Sequence, residues 1–280
     1  MLRSRMLRRL ARDAYEAFWE RRLSFSEVPE HVAVVQDGNR RYARSNGDKP
    51  TDGHEEGAET TEEVLDWAYE IGVKEMTLYA FSTENFGRDD EELEDLFDII
   101  ADKLDELADS EKIHDRRVQV RGIGDLERLP ERVRDALANV EDATEEYRRH
   151  RLNIALAYGG REEMVEAARR VARDVEEGRL SPEDVDVSAV SSRLRLDSDI
   201  DLVVRTGGER RLSNFLPWQA RGAEAEVYFC DAYWPRFERH EFLKAVASYS
   251  GAEKDGKRAV DPRRRAPVPK VKSEVEEPAD

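Results

Sequence analysis

Two spacings of apolar residues take turns along this chain. Short, nearly continuous apolar runs are separated by longer stretches in which apolar residues recur every three or four positions. HVAVVQ (31–36) predicts a strand buried on both faces, as in a parallel sheet. EMTLYAF (75–81), VQVRGIG (118–124), LNIALAY (152–158), DLVVR (201–205) and AEVYFC (225–230) predict five more. Helical spacing runs over 54–71 up to Gly72. It returns over 90–109, with Leu93, Leu96, Phe97, Ile100, Leu104 and Leu107 inward, after Pro130, and from about Arg161. The alternation predicts a single α/β domain over residues 29–250, with a largely parallel central sheet of about six strands flanked by helices. Residues 1–28 read as an amphipathic helix with Leu2, Met6, Leu7, Leu10, Phe18 and Trp19 near one face and five arginines around it. Such a helix either packs on the domain or lies on an anionic membrane surface. Residues 251–280 are rich in Pro, Lys, Arg and Glu without apolar periodicity, and are expected to be disordered.

Composition narrows the classes. The formal net charge is −17 over 280 residues, which argues against a nucleic-acid binder held by phosphate neutralisation. No apolar run approaches the roughly 20 residues of a spanning helix, and no signal-peptide pattern opens the chain, so a cytoplasmic location is expected, with contact at the inner membrane surface if residues 1–28 lie there. The one cysteine, Cys230, excludes a disulfide framework within the chain and reads as a small buried hydrophobe. Lysines number 9 against a Lys+Arg total of 46, and acidic residues are spread along the whole chain. That balance suits a protein kept hydrated in concentrated salt, as in a halophilic archaeon.

In parallel sheets ligands gather beyond the carboxyl ends of the strands. There the sequence places DGNRRYA after the first strand, FSTENFGR after the second, YGGRE after the fourth and RTGGERRLSNF after the fifth. Glycine-rich turns and helix N-termini suit phosphate, and Arg41, Arg88, Arg205 and Arg211 supply fork-shaped donors. Asp37 is a lone carboxylate among them, a natural Mg²⁺ ligand beside phosphate oxygens. No Walker loop and no GxGxxG is present. The residues alone therefore point to a diphosphate with Mg²⁺.

These blocks also carry a resemblance. HVAVVQDGNRRYA, GHEEGAETTEEVLDWAYEIGVKEMTLYAFSTENFGR, LNIALAYGGREE and DLVVRTGGERRLSNFLPWQ resemble the signature blocks of the cis-prenyltransferases, the undecaprenyl diphosphate synthases, over about His31 to Phe237. The acidic composition and the DGNRRYA variant resemble the archaeal branch, which extends geranylgeranyl diphosphate. The resemblance implies Z-condensation of isopentenyl diphosphate onto an allylic diphosphate, giving a long polyprenyl diphosphate, the precursor of a glycosyl carrier lipid. It implies Asp37 as the essential Mg²⁺-handling aspartate. Gly38, Asn39, Arg40 and Arg41 match the loop cradling the allylic diphosphate, with Tyr42 where Trp is usual and His54 nearby. Asn85, with Ser82, Thr83 and Glu84, matches the place where the isopentenyl C2 proton is lost, and Phe86 and Arg88 complete that block. Arg205, Arg211, Leu212 and Ser213 match the isopentenyl diphosphate site. An apolar tunnel walled by the sheet and the helices at 54–71 and 90–109 would hold the growing chain, and a homodimer is the family's habit.

Three departures stand out. The position where the family often has Arg is Pro50, with Lys49 as a substitute. The second metal ligand falls on Glu224 by spacing from SNF, or on Glu226 by its place before VYF, with Glu224 favoured. The family's C-terminal Arg-x-Gly segment has no match. A partner subunit of a heteromeric enzyme is the competing reading, disfavoured by the presence of Asp37. The acidic stretch DDEELED (89–95) reads as carboxylates at a helix N-terminus rather than as a metal motif. His31, His114, His150 and His240 lack metal-ligand spacing and read as structural.

Overall fold

The computed structural model describes residues 28–220 and 225–254. The expectations for residues 1–27 and for Glu224 therefore lie outside the described residues, as does most of the 251–280 segment. Six strands form one sheet: β1 (His31–Val35), β2 (Glu75–Tyr79), β3 (Val118–Ile123), β4 (His150–Ala155), β5 (Leu202–Arg205) and β6 (Glu226–Phe229). Their spatial order is β3-β4-β2-β1-β5-β6, and every pairing is parallel. Each predicted apolar run contains one strand, trimmed by a few residues.

Among the described residues eight helices cover the sheet: α1 (Asn39–Asn46), α2 (Pro50–Glu70), α3 (Asp90–Ala108), α4 (Glu111–Arg116), α5 (Glu131–Thr144), α6 (Gly160–Glu176), α7 (Val187–Ser191) and α8 (Arg239–Lys254). Two of them correct the sequence reading. The segment after β1, expected to be a loop, becomes α1 from Asn39 onward. The helix expected from 54 begins at Pro50, whose fixed φ and missing N–H suit a first turn.

Strand side chains alternate between two cores, as a period of two requires. Val32 and Val34 face α2, α3, α5 and α8, packing with Leu65, Leu104 and Phe242. Ala33 and Val35 face the other way, towards Tyr158, Leu196 and Phe215. β1 lies between β2 and β5, and the chain leaves it in one direction and returns on the other side. The crevice between the carboxyl ends of β1 and β5 is thus the topological switch point, where open α/β sheets bind ligands. Asp37 follows β1 there, and Arg205 ends β5, paired in register with Val35.

The hinge of this region is Trp234, fully buried and stacked on Phe237. Its Nε1 donates to the Gly57 carbonyl of α2 at 2.7 Å, and its backbone N–H donates to the Asp37 carbonyl at 3.1 Å. Trp234→Ala should cost about 3–5 kcal/mol of stability by urea unfolding, seen as a lower midpoint at unchanged m. A cost below about 1 kcal/mol would show that the indole is not a core element.

Candidate active site

The turn out of β1 requires glycine. Gly38 has φ 115°, and a Cβ there would sit 2.8 Å from the Tyr233 ring. Asp37 is fixed at both backbone groups: its N–H donates to Thr206 Oγ1 (3.0 Å), and its carbonyl accepts from Thr206 Oγ1 (2.8 Å). Its carboxylate stands between two guanidinium groups. Arg41 Nη2 donates to Oδ1 at 3.0 Å, and Arg205 Nη2 donates to Oδ2 at 2.7 Å. Arg205 is almost wholly buried, and its Nη1 donates to Ser213 Oγ and to the Arg211 carbonyl. Arg41 also approaches Glu209 (3.9 Å), which pairs with the exposed Arg211.

The glycine pair Gly207–Gly208 behaves differently from the sequence expectation of free phosphate-binding amides. Gly207 N–H donates to the Ala232 carbonyl (2.7 Å), and Gly208 N–H to the Cys230 carbonyl (3.0 Å). These amides are spent on joining the ends of β5 and β6. Amides suited to an anion come instead from α1, which starts at Asn39: the first turn of a helix leaves its N–H groups without intrahelical partners.

A second cluster sits between α1, α2 and α3. His54 lies on α2, Arg88 follows the turn at Thr83–Gly87, and Glu92 is in the first turn of α3, where the acidic stretch was expected. Arg88 Nη1 donates to Glu92 Oε1 (3.0 Å) and to His54 Nε2 (3.3 Å), and Arg40 lies 3.7 Å from Glu92. Arginine only donates, so Nε2 accepts and the imidazole proton sits on Nδ1. Nδ1 faces the Asn39 carboxamide at 3.4 Å. A donor on Nδ1 calls for the amide oxygen there, which also gives the otherwise unpartnered Asn39 Oδ1 its hydrogen bond. Helices α1 and α2 touch because α2 carries Gly57: a Cβ at that position would lie 2.7–2.9 Å from the Asn39 carboxamide. Burial first, and then the Arg88 charge, pull the His54 pKa down to about 4. Glu92 stands 3.6 Å from Nε2 and favours the imidazolium, but burial and arginine prevail, so His54 is neutral at pH 7.

The remaining expected residues occupy distinct places. Asn85 Oδ1 accepts from its neighbour's Ser82 N–H at 2.9 Å and closes the turn. Thr83 N–H donates to the Tyr158 carbonyl, and Glu84 is exposed. Phe86 is half-buried, edge-on to Phe81 at 4.9 Å with the Arg128 guanidinium 4.2 Å over its ring. Tyr42 is buried, with its hydroxyl donating to Glu56 (2.8 Å), and it fastens α1 to α2. Leu212 packs against the second core. Lys49 precedes α2 as an exposed residue. Glu226 opens β6, level with Leu202 and three residues below the carboxyl edge that Phe229 and Arg205 share. At about 3.3 Å per residue it is displaced by about 10 Å along the strand from that edge, so the fold does not bring it to Asp37.

Sequence reading missed Thr206, Glu92 and Glu209, and took Trp234 for a core or interface residue, which its full burial bears out. Asp37's partners in this list are far from it in sequence, and Glu92 already had a sufficient explanation as a helix-terminal acid. The four other histidines are structural as expected: His31, for instance, is buried with Nε2 2.7 Å from Thr77 Oγ1. Cys230 is buried, and its thiol is pushed up to about 11 by that burial.

From the switch point an apolar cavity of about 370 Å³ runs between the sheet, α2 and α3. Asn39, His54 and Trp234 line its head, Leu65, Ile100 and Leu104 its middle. Its far end is polar, with Asp66 of α2 bonded to Lys112 (2.6 Å) and Arg116 (2.5 Å) of α4. From His54 to Asp66, α2 rises about 18 Å at 1.5 Å per residue.

The depressed His54 pKa has a measurable consequence. The unfolded chain takes up the imidazole proton near the ordinary value of 6.5, and the folded chain only near 4. His54 therefore lowers stability as pH falls from 6.5 towards 4, and has no such effect above 6.5. His54→Gln should flatten the stability–pH slope in that window. An NMR titration of the wild type should show an imidazole still neutral at about pH 5, and a midpoint near 6.5 would contradict the site geometry.

Known proteins are similar to this chain in sequence and in fold. The undecaprenyl diphosphate synthase family model matches residues 35–256. A tritrans,polycis-undecaprenyl-diphosphate synthase (geranylgeranyl-diphosphate specific) of Halobacterium salinarum is 50% identical over 269 residues, covering 95% of this chain and 89% of the relative. The protein of the same name from Haloarcula marismortui is 50% identical over 250 residues, covering 88% of this chain and 81% of its own. Among solved structures, lavandulyl diphosphate synthase from Lavandula x intermedia in complex with dimethylallyl diphosphate superposes with TM-score 0.74 at 36% identity, covering 80% of this chain and 95% of that one. A probable undecaprenyl diphosphate synthase from Campylobacter jejuni gives TM-score 0.65 at 32% identity, covering 80% and 96%. The family model spans most of the chain and the relatives cover nearly all of it: the chain belongs to the undecaprenyl diphosphate synthase family, the cis-prenyltransferases.

Proposed function

We propose that the chain extends geranylgeranyl diphosphate by successive Z-condensation of isopentenyl diphosphate, giving a long polyprenyl diphosphate that serves as precursor of a glycosyl carrier lipid. The observation that carries this reading is the Asp37 carboxylate, held between Arg41 and Arg205 and flanked in the chain by Gln36 and Asn39, which line the apolar cavity. The names of the relatives support the allylic starter and the product class.

The two diphosphates fit two sides of Asp37. The first turn of α1, with Gly38, Asn39, Arg40 and Arg41, offers amides and guanidinium groups to the allylic diphosphate. Its hydrocarbon tail enters the cavity below. Arg205, Arg211 and Ser213 offer the second set to isopentenyl diphosphate. Arg41 and Arg205 both touch Asp37, so the two diphosphates flank one carboxylate. As the allylic C–O bond breaks, negative charge grows on the leaving diphosphate, where the fixed arginines already point. The isopentenyl double bond attacks the cation-like carbon, and a C2 proton is lost. A carboxamide is a poor base and Asn85 Oδ1 already accepts from Ser82, so Asn85 orients the substrate while diphosphate oxygen takes the proton.

Asp37 would hold Mg²⁺ here once a diphosphate is bound, because one carboxylate plus phosphate oxygens is an ordinary Mg²⁺ donor set. Among the described residues no group of three or more His, Cys, Asp or Glu side chains would hold a metal ion without substrate. When bound, the ion neutralises charge on the leaving diphosphate.

Cavity size bears on the product. A cavity of about 150 Å³ admits one benzene, or about 25 Å³ per carbon. On that scale the 370 Å³ here holds on the order of 15 carbons, about three isoprene units. A longer tail has to extend past the ion-paired end at Asp66, Lys112 and Arg116.

The test is product analysis at high salt with Mg²⁺ and labelled isopentenyl diphosphate, offered with geranyl, farnesyl or geranylgeranyl diphosphate. Long butanol-extractable product, greatest with geranylgeranyl diphosphate, is expected. Absence of product with every starter, from folded protein, would assign the chain to a non-catalytic partner role. Asp37→Ala should lower kcat by at least about 10²-fold with the fold intact by circular dichroism. Chelation with EDTA should abolish turnover, and added Mg²⁺ should restore it. Undiminished turnover in EDTA would remove the metal from the mechanism.

A further inference from the structure

The loop that carries Ser213 is strained. Ser213 (φ 48°), Asn214 (φ 61°) and Leu216 (φ 47°) all adopt the left-handed conformation, and none is glycine. Such conformations are disfavoured for residues with a Cβ, and they persist where surrounding contacts over-determine them. The contacts here converge on Asn214.

Helix α6 begins after Gly159, which has no side chain to cap it. Two of its first N–H groups are taken by a residue more than fifty positions away. Gly160 N–H donates to the Asn214 carbonyl, and Arg161 N–H donates to Asn214 Oδ1, both at 2.8 Å. The same carboxamide donates through Nδ2 to Glu162 Oε2 at 3.1 Å. Asn214 thus caps α6 from outside, and every polar atom of its side chain is spent on that contact. On either side of it the loop is anchored to the sheet. Phe215 is buried and stacks on Tyr79 (centroids 4.4 Å, 10°), and Tyr79 OH lies between the Tyr158 and Ser213 carbonyls, at 3.2 and 3.4 Å. What the loop presents to the crevice is Ser213 Oγ and the Arg211 carbonyl, both accepting from Arg205 Nη1.

We propose that Asn214 is a positioning residue: by strapping the strained Arg211–Leu216 loop to the first turn of α6, it holds Ser213 and Arg205 ready for the diphosphate of isopentenyl diphosphate. This rests on the reading of that loop as the isopentenyl diphosphate site. Asn214 itself contributes no donor to the ligand.

Calorimetric binding of isopentenyl diphosphate alone, which needs no turnover, tests the strap. Asn214→Gly permits the left-handed backbone but removes the carboxamide, whereas Asn214→Asp, made together with Glu162→Gln so that no second carboxylate faces it, keeps the acceptor for Arg161 N–H. The Gly variant should weaken binding by about tenfold or more, the Asp variant by no more than about threefold, with geranylgeranyl diphosphate binding within about twofold of wild type in both. KM for isopentenyl diphosphate should rise in parallel at nearly unchanged kcat. Wild-type affinity in the Gly variant, or equal loss for both ligands, would overturn the proposal. The same holds if wild-type protein fails to bind isopentenyl diphosphate. A wild type that binds it but forms no product would instead overturn the proposed function, while the ratio of dissociation constants still decides the role of Asn214.

Discussion

Everything in the site refers back to the carboxylate of Asp37 held between two guanidinium groups. Arg205 ends a buried strand with almost no solvent, and a cation there needs an opposite charge at hydrogen-bond distance. Asp37 supplies it from the neighbouring strand, and the same carboxylate holds Arg41. The pattern repeats outward, with Glu92 holding Arg88 and facing Arg40, and Glu209 facing Arg41 and pairing with Arg211. Each arginine suited to a phosphate is thus kept in place by a carboxylate until an anion arrives. The arginines are oriented beforehand, which is the arrangement that stabilises developing charge without reorganisation.

Helix α2 connects this head to the cavity that would take a tail. Its N-terminal half carries His54 and accepts Asn39 against Gly57, and its carbonyl at Gly57 accepts from Trp234, whose own N–H donates to Asp37. Its C-terminal half lines the cavity with Leu65 and Tyr69. A displacement of α2 would move the α1 contact, the neutral histidine and the cavity wall together. That coupling explains why a fully buried indole sits at the junction, since close packing leaves it no alternative position.

The strands were legible because β1, β2, β4 and β5 are short, mostly buried runs and β3 alternates buried with half-buried positions, and nothing in their identity depends on distant residues. Helix α1 was not legible. NRRYARSN is short, polar and bounded by glycines, and its helix is stabilised by contact with α2 rather than by an apolar period of its own. The start of α2 was hidden for a related reason, since Pro50, Gly53 and Gly57 interrupt the pattern where the helices approach most closely. The arginines and Asp37 could be read from chemistry and from resemblance. The partners that orient them could not, because Asp37 to Thr206, and Arg161 to Asn214, are pairings made by strand order. The Gly207–Gly208 pair misled for the same reason: its amides find their acceptors on the segment after β6.

Charge distribution separates what salt can change from what it cannot. The chain carries a net charge of −17, and many of its ion pairs are solvent-exposed, such as Lys103 with Glu62 and Arg132 with Glu94 and Asp98. Pairs of that kind contribute little individually and are screened as ionic strength rises. Asp37–Arg205 and the His54–Arg88–Glu92 cluster are shielded by protein instead, with side chains of Arg205, His54 and Glu92 exposed by 4%, 9% and 14%. An anionic substrate approaching at low salt meets the repulsion of the whole surface before it reaches these arginines. Added salt removes that long-range repulsion while leaving the short contacts nearly intact. An acidic protein can therefore keep a cationic site for a diphosphate, provided the cations are few and already aimed by carboxylates, with one of them, Arg205, buried.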